Sequence, residues 1–198
     1  IRFQVNTLPG EDVEHCRVQL VARMACLPEQ GREAVGLLAE ILRGTDFSDR
    51  KLLRDQLSQA ALNAQMNLAA NGEEYAEIRV GAYNSARGVA REALCGREMA
   101  VWLKEQAAAE DTVLDTVLQT MQTLAARILA ENRMTVSCSD NLEEELLDIL
   151  ALPQGSPAPK WAVYAPWGAR QEGLTIPASV SFAVKGTNFK CHGGSFSG

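Results

Sequence analysis

The chain has 198 residues, 46% of them hydrophobic and 22% charged. These are ordinary proportions for a folded domain, so disorder is set aside and a sizeable core is expected. Nineteen basic against 25 acidic residues give a net charge of −6, which argues against a nucleic-acid partner held by overall positive charge.

Residues 1–6 alternate as a strand, with Phe3 and Val5 on one face, and Leu8-Pro9-Gly10 reads as a turn. From His15 a period of two runs for over ten residues. It puts Cys16, Val18, Leu20, Ala22, Met24 and Cys26 on a face expected to be buried. The period then becomes helical. Ala34, Val35, Leu37, Leu38, Ile41 and Leu42 mark a helix that Gly44 stops.

Ser48 is the expected cap of a long helix ending at Asn71-Gly72, with Leu53, Leu57, Ala60, Ala64 and Leu68 along one stripe. Further helices are predicted over 73–87, 97–108 and 112–132. Met134 to Ser139 reads as a short strand. Asp140 and Glu143 resemble a capping box for a helix reaching Leu150, whose Glu143-Glu144-Glu145 run suits the positive end of the helix dipole. Pro153, Pro157 and Pro159, with Gly155 and Ser156, form a linker. Lys160 to Ala165 is a candidate strand, and Ile176 to Val184 alternates as another. Strands, a run of helices, then a strand and a helix predict an α+β fold, with helices on one face of an antiparallel sheet.

The chemistry-bearing residues are few. The five cysteines lack any Cys-x-x-Cys spacing, so reduced thiols and a cytoplasmic setting are expected. His15 and His192 are the two histidines. Neither His-x-x-x-His nor His-x-x-Glu-His is present, so no zinc constellation is read. In Glu14-His15-Cys16 a strand points His15 and Cys16 to opposite faces. Cys191 and His192 are adjacent, which rarely brings a nucleophile to its base.

Residues 193–198 are Gly/Ser-rich. They lack the Lys of a phosphate loop, and Phe196 stands where a nucleophile elbow needs Ser. Cys16 and Cys26 are read as core residues, and Cys95 and Cys138 as unactivated thiols. Trp102, Trp161 and Trp167 show no basic–aromatic interleaving. No catalytic, cofactor-binding or metal-binding residue is therefore assigned.

Several segments in order resemble a known family. The strand from Val18 to Cys26 leads to Leu37-Leu38-Ala39-Glu40-Ile41-Leu42, then Thr45-Asp46-Phe47-Ser48-Asp49. Gly81-Ala82-Tyr83 lies within the stretch from Arg79 to Arg87. Gly96 leads to Trp102-Leu103-Lys104, and Met134-Thr135-Val136-Ser137 and Ile176-Pro177 follow. This order resembles the peptidase-associated region of insulinase-like (pitrilysin-type) zinc metallopeptidases, in their presequence-protease branch.

The resemblance implies a third α+β domain over 1–152, a linker over 153–175 and the first strand of a truncated fourth domain over 176–198. Ile1 and Gly198 read as cuts on this view. It implies zinc for the parent enzyme, bound in another part of the polypeptide, and no cofactor in this segment. The implied partners are the remaining domains of the parent and peptide substrates. Nucleic acid and membrane are not expected, and an exposed 176–184 strand could pair two copies as a homodimer. The implied function is a non-catalytic part of the chamber that binds peptides for proteolysis. The alternatives are a catalytically inactive paralogue serving as a structural subunit, or an unrelated helical interaction domain.

Overall fold

The computed structural model describes residues 1–138, 148–157, 160–176 and 179–187. Two strands come first, β1 (Arg2–Pro9) and β2 (His15–Arg23). Among the described residues the α-helices that follow are α1 (Gly31–Gly44), α2 (Arg50–Ala70), α3 (Gly72–Asn84), α4 (Ala86–Cys95), α5 (Arg97–Ala107) and α6 (Asp111–Ile128). A short β3 (Ala162–Val163) completes one sheet in the order β1-β2-β3. β3 runs antiparallel to β2 through His15↔Val163 and Cys16↔Ala162. The architecture is α+β. No described helix is long and apolar enough to cross a membrane.

The chain divides into two compact units: residues 1–4, 21–53 and 110–159, and residues 5–20, 54–109 and 160–198. In the first, Val35 and Ala39 of α1 are buried with Leu150, and Leu38, Leu42, Met134, Ile149 and Leu152 pack around them. Asp49, rather than Ser48, starts α2, because its carboxylate accepts the Leu52 N–H at 2.8 Å. Ser48 instead closes a local turn on Asp46, through its N–H and its hydroxyl, each at 2.8 Å. Asn132 and Gly155 exchange two hydrogen bonds of 2.9 Å.

In the second unit small residues set the packing. Cys16 is buried against Ala86 and Ala90, with Ala162 beside them. The Ala86 N–H donates to the Val13 carbonyl at 2.6 Å, which anchors the start of α4. α3 packs on α4 at a glycine pair. A Cβ on Gly88 would lie 1.9 Å from the Gly81 carbonyl oxygen, so the two backbones approach as only glycine allows.

Several expectations are corrected. The predicted helix over 73–87 stops at Asn84, and α4 was not foreseen. Ser85 is extended (φ −160, ψ 152), ends α3, and caps α4 by accepting the Gly88 N–H at 3.1 Å. β1 runs on through Leu8 and Pro9, and the turn begins at Gly10. β2 stops at Arg23, so Met24 and Cys26 lie beyond it. Its apolar face is not a buried one: Cys16 is fully buried, but Val18 and Leu20 are 40% and 44% exposed.

The helix over 112–132 ends at Ile128. Residues 134–138 form no strand, nor do the described residues among 176–184. Most of the predicted 140–150 helix, including Asp140 and the Glu143-Glu144-Glu145 run, lies outside the described residues, as do Cys191, His192 and the Gly/Ser tail.

Candidate functional site

Among the described residues of the second unit, a set of charges centres on Arg79 of α3. Its Nη1 donates to Glu92 of α4 at 3.1 Å and to Glu98 of α5 at 2.8 Å. Its Nε and Nη2 grip Glu172 at 2.8 and 3.2 Å, a two-pronged contact that suits the planar guanidinium. The guanidinium carbon lies 4.6 Å from the centroid of the Trp167 ring, and Tyr83 leans on Trp167 at 6.2 Å. The Trp167 N–H donates to the Ala82 carbonyl at 3.0 Å, so the segment after β3 is pinned to α3.

Glu92 is fully buried. Its Oε1 accepts from Arg79 and from the Glu98 N–H at 3.2 Å, in the first turn of α5, where the helix dipole favours a carboxylate. Its Oε2 has no hydrogen-bond partner and rests over Gly96, where a Cβ would come within 2.2 Å of it. The hydrogen bonds from Arg79 pull the Glu172 carboxyl down to about 2. The carboxylates in turn raise Arg79, Glu172 foremost. Burial raises the Tyr83 hydroxyl. A cation bonded to three acidic side chains is a clamp between α3, α4, α5 and the 167–172 segment. It does not exchange protons near neutrality.

A groove of about 460 Å³ lies elsewhere in the same unit. Asn63 and Asn67 of α2 and Asn71 just beyond it line one side, and Tyr75, Ile78 and Met99 contribute apolar surface. Gln59 continues the row, its Nε2 donating to Asn63 Oδ1 at 3.0 Å. In the first unit a smaller cleft of about 210 Å³ lies against Phe47, Ser48 and Asp115. There Arg50 grips Asp115 through Nε and Nη2 at 2.8 and 2.7 Å.

The residues singled out from the sequence do not converge. His15 stands 2.7 Å from Asp12 through Nδ1, and that contact raises the imidazole and lowers the carboxyl. Cys16 is buried, which pushes its thiol up. Cys26 is exposed, contrary to its reading as core, because the strand stops three residues short of it. Cys95 and Cys138 are exposed too.

Trp161 does have basic neighbours: Arg17 and Lys160 lie 5.7 and 5.0 Å from its ring centroid. Lys160 is adjacent in sequence, but Arg17 arrives through the β2–β3 pairing, which spacing could not reveal. Among the described residues, no group of three His, Cys, Asp or Glu is placed to hold a metal ion.

A family model described as "Peptidase M16C associated" matches residues 1–106, just over half of the chain. The chain belongs to the peptidase M16C associated family. The match runs from β1 to the last turn of α5, and so includes Arg79, Glu92 and Glu98 and the amide row, but not Trp167 or Glu172.

Two curated proteins are similar. Protein HypA of Clostridium perfringens is 21% identical over 178 residues, covering 87% of this chain and 18% of that protein. The mitochondrial presequence protease of Yarrowia lipolytica is 29% identical over 110 residues, covering 54% of this chain and 11% of that protein. The chain therefore spans less than a fifth of either relative. The insulinase-like, peptidase-associated character expected from the sequence is supported at the level of this family.

Proposed function

We propose that this chain is a non-catalytic C-terminal-half segment of a zinc-dependent peptidase of the insulinase-like, presequence-protease type. In that role it forms part of a chamber wall that binds peptide substrates. The observation that carries this reading is the family match over β1 to α5, joined by the similarity to a presequence protease. Among the described residues no group of three His, Cys, Asp or Glu is placed to hold zinc, and His15 is engaged by Asp12 at 2.7 Å. On this reading the metal and the hydrolytic step belong to another part of the full-length protein, and no step is routed through this segment. Its partners on this reading are the other domains of that protein and extended peptides.

Elemental analysis tests the assignment. Full-length protein carrying this chain should hold one zinc per molecule, and the 198-residue chain should hold none. A full-length protein purified without zinc that cannot be loaded with it would favour an inactive structural subunit.

A further inference from the structure

The row of side-chain amides in the second unit has a regular period. Gln59, Asn63, Asn67 and Asn71 recur every fourth residue. Four residues of α-helix rise about 6 Å. Two residues of an extended chain advance about 6.6 Å. Over the three asparagines the mismatch is about 1.2 Å, within the reach of side-chain rotation.

A carboxamide carries both a donor and an acceptor. It can therefore pair with the N–H and C=O of a single residue in an extended chain. The three asparagines are exposed and line the same groove. Gln59 donates to Asn63 Oδ1, so the first asparagine of the row is already oriented.

The rest of the groove agrees with such an occupant. Tyr75, Ile78 and Met99 give an apolar floor, which would receive every second side chain of an extended segment. Among the described residues, the one charged side chain lining the groove is Glu74, which disfavours phosphate-bearing ligands. Nothing in the groove selects a particular side chain, whereas the amides address what all peptides share.

We propose that this groove binds the main chain of an extended peptide, with Asn63, Asn67 and Asn71 each pairing with alternate residues of it. The proposal deepens the peptide-chamber reading by naming a binding site on this chain, and its test does not depend on cleavage.

Cys95 lines the same groove, and Cys26 and Cys138 are exposed elsewhere. Alkylation by iodoacetamide, followed cysteine by cysteine by mass spectrometry, reports occupancy. The experiment uses full-length protein with a chelator present throughout. One probe is an unstructured eight-residue Ala-Ser peptide. The other has the same sequence N-methylated at every residue, so that neither edge of the extended chain keeps its N–H donors. The first should slow alkylation of Cys95 about fivefold near saturation and leave Cys26 and Cys138 unchanged. The N-methylated peptide should give no protection. Asn67→Ala should raise the peptide concentration for half protection about fivefold, as expected for losing a hydrogen-bonding side chain.

An unchanged Cys95 rate at about 1 mM peptide overturns the proposal, since even weak main-chain binding would register there. Equal protection by the N-methylated peptide overturns it as well. Peptide cleavage without protection of Cys95 would remove this site and leave the peptidase reading standing.

Discussion

The Arg79 guanidinium donates to the fully buried Glu92 carboxylate at 3.1 Å, with its own side chain only 12% exposed. Removing the cation strands the anion. Arg79→Met should cost about 3–5 kcal/mol of unfolding free energy, the range for breaking a buried pair from one side. The double variant Arg79→Met/Glu92→Leu should recover much of that loss, because neither charge remains buried. Urea unfolding of the two variants and the parent measures both quantities. Equal losses in the single and double variants would contradict the stranded-charge account.

Glu172 ties the same cluster to acid pH. Its carboxyl is lowered to about 2 in the folded chain, foremost by the hydrogen bonds from Arg79. A carboxyl lowered on folding stabilises the fold above its ordinary range, and that contribution is lost as pH falls through the folded value. The parent should therefore lose stability steadily from about pH 4.5 to about pH 2. Glu172→Gln should be less stable at pH 7 and should show a shallower decline across that window. Thermal melts at matched pH values give the comparison.

Gly88→Ala probes the closest backbone approach in the second unit. A methyl there would lie 1.9 Å from the Gly81 carbonyl oxygen. Helix propensity alone would favour alanine by about 1 kcal/mol. The clash should win, with a net loss of about 1–3 kcal/mol in urea unfolding. A stabilised Gly88→Ala variant would show that α3 and α4 are not packed this tightly.

Ser85→Ala removes the hydroxyl that accepts the Gly88 N–H at the start of α4. The expected loss is about 1 kcal/mol, with Ser85→Asp close to the parent. Both are measurable by the same unfolding curves.

Thiol reactivity separates the cysteines by burial. Cys26, Cys95 and Cys138 should react with iodoacetamide in the native protein, and Cys16 only after denaturant is added. Mass spectrometry of the labelled peptides tests this directly. Early labelling of Cys16 would contradict its burial against Ala86 and Ala90.

The sequence was most legible where one period ran uninterrupted. α1, α2 and α5 follow from their apolar spacing, and β1 and β2 from alternation. Ser85 was missed because a single extended residue ends one helix and starts the next, while alanine and glycine give little contrast in a hydrophobic pattern. The β2 alternation was real, but burial did not follow it, because exposure depends on what packs above a face. Arg79 carried no local signal at all. Its partners lie 13, 19 and 93 residues away. The amide row lies in the spacing of Gln59, Asn63, Asn67 and Asn71, but it went unremarked because a hydrophobic pattern carries no signal from polar residues on a helix.

The central claim is that this chain serves a peptidase whose metal chemistry lies outside it. Hydrolysis of an unstructured peptide by the full-length protein, measured before and after a chelator and beside the 198-residue chain, tests that claim most directly. The account predicts cleavage by the full-length protein, its loss with chelator and recovery with zinc, and no cleavage by the chain alone. Cleavage by the chain alone, or full-length activity indifferent to chelator, would contradict it.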